Sequence, residues 1–93
     1  MEILYSEPYL SSLNKIWDFI ADDSLTRADK FLKNLTSQIE EITDMPFRYR
    51  KSVYFNDNSI RDMIYKGYTI VFYVNKDEET IMILGITKYR EKL

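Results

Sequence analysis

Lys66-Gly67 lies between two runs, residues 60–65 and 68–74, rich in β-branched and aromatic side chains. No other junction constrains the fold as much. Such runs favour extended backbone, and glycine takes a positive φ at little cost, so the pair reads as a hairpin turn. A third run of the same kind, residues 80–86, follows a polar turn at 75–79. Val71, Phe72, Tyr73 and Val74 are apolar at successive positions, which suits a strand covered on both faces at the sheet centre. A sheet this small needs helices laid on it to bury a face, and the first half of the chain supplies them.

From Tyr9, apolar residues recur as Leu10, Leu13, Ile16, Trp17 and Ile20, the three-and-four spacing of one helix face. This helix is expected to end near Ala21, where Asp22-Asp23-Ser24 interrupts the pattern. Either Asp23 or Ser24 can cap the next helix by accepting bonds from its free amides. The second periodic run is Ala28, Phe31, Leu32, Leu35, Ile39 and Ile42, closed by Pro46. So short a link predicts an antiparallel hairpin with Trp17 and Phe31 in the core. Residues 2–6 alternate, with Ile3 and Tyr5 on one side, and read as a first strand. Pro8 then stops strand pairing or opens the helix. The predicted class is α+β in the order β-α-α-β-β-β, a single domain over 1–93. The helical hairpin packs on one face of a small, mostly antiparallel sheet, and the other face stays partly open. A further strand in 52–55 is admissible, but Asn56-Asp57-Asn58 reads more strongly as loop.

The chain has 93 residues and neither cysteine nor histidine. That excludes disulfides, thiolate nucleophiles, imidazole bases and the usual zinc sites, leaving carboxylates, tyrosines, lysines, arginines and hydroxyls for any chemistry. No metal or cofactor is expected. No segment has the apolar length to span a bilayer, and the start at Met1 lacks the basic and apolar parts of a signal peptide, so a soluble cytoplasmic protein with no membrane partner is the expectation. The net charge of −2 conceals an asymmetry. Residues 1–45 hold four Lys/Arg against nine Asp/Glu, whereas residues 46–93 hold nine against six. The strand half therefore offers a cationic face to an anionic partner.

The candidate residues on that half are Arg48, Arg50 and Lys51, then Arg61 on a strand, then Lys88, Tyr89 and Arg90 at the end of the last strand. Each has a plainer reading as well. The first three are a short basic run of the kind that solvates a loop, Arg61 has Glu78, Glu79 or a helix carboxylate as a potential salt-bridge partner, and the last three occupy a terminus.

Several stretches together resemble the RelE/ParE family of bacterial toxins from toxin–antitoxin pairs. These are residues 16–21 (Ile-Trp-Asp-Phe-Ile-Ala), Ala28 with Phe31-Leu32, Met45-Pro46-Phe47-Arg48, Ile60-Arg61-Asp62-Met63, residues 67–73 (Gly-Tyr-Thr-Ile-Val-Phe-Tyr), and Ile83-Leu84-Gly85-Ile86 with residues 88–90. The resemblance covers nearly the whole chain and is closer to the ParE-like branch. It implies a growth-inhibiting, plasmid-stabilising toxin neutralised by a cognate antitoxin, with no small-molecule substrate. ParE-like members inhibit DNA gyrase by binding it, which would make Arg48, Arg50, Arg61, Lys88, Tyr89 and Arg90 the target-binding residues. RelE-like members cleave messenger RNA on the ribosome, which would make Arg61, Lys51 and Tyr89 catalytic. An inactive relative that keeps only antitoxin binding is the third alternative. An isoelectric point near 5.1 and the short stretch after Arg90 favour the ParE-like branch. That branch often carries a histidine after the last strand, where this chain has Thr87 or Lys88.

Overall fold

The computed structural model describes residues 1–88. Its elements are β1 (Glu2–Tyr5), α1 (Glu7–Asp23), α2 (Leu25–Glu40), short 3-10 turns at Glu41–Thr43 and Pro46–Arg48, β2 (Arg50–Lys51), β3 (Ile60–Tyr65), β4 (Tyr68–Asn75) and β5 (Thr80–Lys88). The fold is α+β in the predicted order. One strand more than predicted forms, because β2 pairs with β3 just before the segment 52–55 that the sequence offered as a strand.

Single serines set both helix starts. The Ser6 hydroxyl accepts from the Tyr9 amide at 3.2 Å and donates to the Leu84 carbonyl at 2.9 Å, so the same group caps α1 and ties its start to β5. Pro8 occupies the first turn, where a missing N–H is harmless. At the far end α1 runs through Asp22 and Asp23, past the predicted stop at Ala21. The helical ladder ends only at Ser24, which leaves helical backbone (φ −161°) and donates its amide to the Ile20 carbonyl. The Ser24 hydroxyl accepts from the Arg27 amide at 3.1 Å, so one residue closes α1 and opens α2. A one-residue link folds the helices back on each other.

The sheet order is β1-β5-β4-β3-β2, with β4 central as its apolar run predicts. Among the described residues only the β1–β5 pair is parallel. Lys66 and Gly67 both have positive φ, 46° and 83°, the geometry of a tight turn whose twist matches that of its strands. A bulge interrupts the β4–β5 ladder between Val71 and Phe72, where Gly85 and Ile83 are the successive partners and Leu84 is the extra residue.

The core lies between the helices and one face of this sheet. Met63, Ile70, Phe72, Val74, Ile81, Ile83 and Ile86 meet Tyr9, Leu35, Ile39 and Ile42 there. Burying each large apolar side chain stabilises the fold by about 1.5–3 kcal/mol. The α1 stripe is only partly used. Tyr9 is its one fully buried residue, while Leu13 and Ile16 pack on the core half-buried. Trp17, predicted as core, is instead half-buried and faces outward with Leu10 and Leu32, because the apolar stripe is wider than the side of α1 that meets the sheet. Phe31 does join the core margin, with its ring 5.7 Å from Tyr65 and 5.6 Å from Tyr68. Among the described residues no helix is long and apolar enough to cross a membrane.

Candidate target-binding site

Successive residues of a strand point to opposite faces, and β3 places two charges accordingly. Arg61 lies opposite Phe72 and Lys51 in the ladder, on the face that carries the helices. Its Nε donates to the Asn58 carbonyl at 2.8 Å and its Nη1 to the Tyr49 carbonyl at 3.0 Å. The guanidinium thereby fastens the segments on either side of β2 to β3. The expected partners Glu78, Glu79 or a helix carboxylate are not used. The planar fork suits two carbonyls in a way a lysine would not.

Around that anchor the cations lie on aromatic rings. Arg61 Cζ is 4.8 Å and Lys76 Nζ 4.9 Å from the centre of the Phe47 ring. Arg48 Cζ is 5.1 Å from the centre of the Tyr49 ring, and its Nη2 donates to the Tyr49 hydroxyl at 3.1 Å. Tyr49 in turn meets Phe72 edge-on at 5.7 Å, which roots the patch in the core. Each exposed cation–ring contact contributes about 0.5–1 kcal/mol, enough to bias where a charge sits while leaving it accessible.

Asp62 faces the other way, and its side chain is fully buried. Its Oδ2 accepts from Arg50 Nη2 and from the Val53 amide, each at 3.1 Å. This carboxylate holds the loop after β2 over the second sheet face, where Tyr54 and Phe55 line a hollow of about 400 Å³ with Val71, Leu84 and Gly85.

The predicted site residues therefore divide. Arg48, Lys51 and Arg61 share the edge of the sheet formed by β2 and β3, with Lys51 the direct ladder partner of Arg61. Arg50 is on the opposite face, in an ion pair with Asp62. Lys88 is opposite Tyr68, with Nζ 5.7 Å from its ring centre, at the far end of β4 from Lys76. At about 3.3 Å per residue that is ~25 Å away. Tyr89 and Arg90 lie outside the described residues. Sequence reasoning missed Phe47, Tyr49 and Lys76. The alternation Phe47-Arg48-Tyr49-Arg50 was a usable signal for the first two, whereas Lys76 joins them only through tertiary contact.

Two further surfaces border the helices. Leu10, Leu13, Trp17 and Leu32 line an open cleft of about 680 Å³ between α1 and α2. Beyond Ile83, the partner of Tyr5, β1 no longer pairs with β5, so the outer edge of β5 has no strand beside it among the described residues. Burial, then the neighbouring Tyr5, raises the Tyr9 hydroxyl pKa; burial, then Glu40, raises that of Tyr5. Both hydroxyls stay protonated near neutrality.

The fold is similar to those of solved toxins. A chain described as the chromosomal ParDE TA system from P. aeruginosa superposes with a TM-score of 0.76, at 15% identity over 97% of both chains. The isolated E. coli RelE toxin gives 0.61 at 16% identity, covering 98% of this chain and 86% of that one. A chain of the intact E. coli RelBE toxin–antitoxin complex gives 0.62 at 15% identity, covering 97% and 98%. At these identities the likeness shows the fold. No curated protein matches the chain in sequence. The sequence profile of one family, described as ParE toxin of type II toxin-antitoxin system, parDE, matches residues 3–93, and the chain belongs to that family.

Proposed function

We propose that the chain is a cytoplasmic bacterial toxin that inhibits DNA gyrase by binding it, and that a cognate antitoxin neutralises it. The observation that carries this reading is the engagement of Arg61. The residue a nuclease would need for phosphate chemistry has two guanidinium nitrogens bound to backbone carbonyls. Arg48 and Lys76 rest on rings, an arrangement suited to a broad acidic protein surface. Family membership and the acidic isoelectric point near 5.1 support the same reading. The contact surface is the patch of Arg48, Lys51, Lys76, Phe47 and Tyr49, with Lys88 at the end of β5, and Tyr89 and Arg90 next to it in sequence, as a second contact.

The antitoxin has two complementary places to bind. A helix fits the apolar cleft of Leu10, Trp17 and Leu32, and an acidic extended segment fits the outer edge of β5 near Lys15 and Lys88.

The ladder pairing of Lys51 with Arg61 favours one other reading, a ribosome-dependent ribonuclease. Induced expression without antitoxin, followed within minutes by pulse labelling of new DNA and new protein, separates the two. Early loss of DNA synthesis with translation intact is expected, relieved by Arg48→Ala combined with Lys76→Ala. Early loss of translation overturns the gyrase reading, and no loss of either on expression of soluble protein overturns the toxin activity.

A further inference from the structure

Cations also gather on α2, away from the sheet edge and from the end of β5. Arg27, Lys30, Phe31 and Asn34 lie at spacings of three, four and seven on one stripe of α2, and with Tyr65 and Lys66 they line a hollow of about 310 Å³ beside the β3–β4 turn. Among the described residues no carboxylate lines it. The first 45 residues contain only four Lys/Arg against nine Asp/Glu, yet two of those four cations are here. Three like charges around one hollow repel one another, and an anion relieves that repulsion.

The walls are arranged for such a guest. Arg27 pairs with Asp23 at 3.0 Å, but both side chains are about two-thirds or more exposed (68% and 72%), so the pair is worth little and the guanidinium is easily redirected. Lys66 adopts φ 46°, a backbone region uncommon for lysine and ordinary for asparagine or glycine, and the turn holds its side chain over the hollow's aromatic wall, with Nζ 5.9 Å from the Tyr65 ring centre. The Tyr65 hydroxyl is buried with no hydrogen-bond partner among the described residues. Buried hydroxyls are rarely left so, but this one has no exposed surface, so Tyr65 gives the hollow its ring and not its hydroxyl.

We infer that Arg27, Lys30 and Lys66, with the Asn34 amide and the Tyr65 ring, form a binding site for a phosphate-bearing small molecule of nucleotide size. The volume is at the lower end of ligand pockets and suits a phosphate group with one ring system against Phe31 and Tyr65 better than an extended chain. The site is independent of the target-binding patch, so it stands or falls separately from the gyrase reading.

Titrating the whole chain with ADP, and separately with inorganic phosphate, while following backbone amide resonances by NMR tests it. The expected result is a saturable shift confined to residues 27–34 and 65–67, weaker for phosphate alone. Lys30→Gln and Lys66→Asn should each weaken binding roughly tenfold, the loss expected for one charge-assisted hydrogen bond, and asparagine tolerates the turn backbone. Lys33→Gln, on the same helix but outside the hollow, should leave it unchanged. Absence of saturable shifts at millimolar ADP overturns the proposal, as does an equal effect of Lys33→Gln. Tighter binding of a short single-stranded oligonucleotide, with shifts spread along β2 and β3, overturns it in favour of a nucleic-acid surface.

Discussion

The two faces of the sheet are closed by different means. On one, aliphatic and aromatic side chains from α1 and α2 seal Phe72, Ile70 and Ile83 from water. On the other, a loop without regular structure is drawn across Val71 by one buried carboxylate, Asp62. Burial on the first face is spread over many residues and tolerates small changes at each. The second face depends on a few directional bonds, so a single substitution there has local and abrupt consequences.

The comparison breaks most visibly at Phe72. Phe72→Ala removes the largest fully buried side chain of the central strand and should destabilise the chain by about 3–5 kcal/mol in chemical denaturation. Asp62→Ala should cost less, about 1–3 kcal/mol, because Arg50 is already partly hydrated and only the Val53 amide is orphaned. Its signature is local, with faster proteolysis within residues 52–58 and little change elsewhere. If cleavage instead accelerates throughout the chain, the loop is part of the global core and the contrast fails. Arg61→Lys sharpens the comparison from the edge. One ammonium cannot serve both the Asn58 and Tyr49 carbonyls, so about 1 kcal/mol should be lost and the amides around 47–51 should exchange faster. Leu10→Ser, on the outward cleft, should change the free chain's stability by no more than about 0.5 kcal/mol yet weaken antitoxin capture in a pull-down with the co-expressed partner. The smallest effect near neutrality is that of pH. Burial, then the neighbouring Tyr5, raises Tyr9 above its ordinary value of 10.0, so the native state prefers the neutral phenol. The contribution is fully present below pH 10 and is lost as pH rises beyond it; a stability curve that already falls between pH 8 and 9 would contradict it.

Much of the fold was legible because its signals are local. The Lys66-Gly67 turn, the spacing of Ala28, Leu35 and Ile39, and the apolar run of β4 each declare themselves within a few residues. What was hidden depends on partners far away in sequence. β2 is only two polar residues long and becomes a strand because β3 offers it a ladder. Trp17 has the spacing of a core residue, and only the placement of α1 over β5 decides which part of a wide stripe is covered. The site was legible in part for the same reason. Arg48, Lys51 and Arg61 were singled out by charge, but the division of Arg50 from its neighbours follows from strand alternation once β2 is known to exist. Lys76 had no local mark at all.

The parallel pairing of β1 with β5 has a consequence for biosynthesis. Ser6 and Leu84, 78 residues apart, share a hydrogen bond at the corner where the sheet meets the first helix. During translation the first strand emerges with nothing to pair with, and the sheet cannot close until the last strand has followed it out. The helical hairpin is complete long before then, with its apolar cleft already displayed. A partner that recognises that cleft can capture the nascent polypeptide before the mature fold exists, so neutralisation can begin ahead of the first moment at which the chain is able to act.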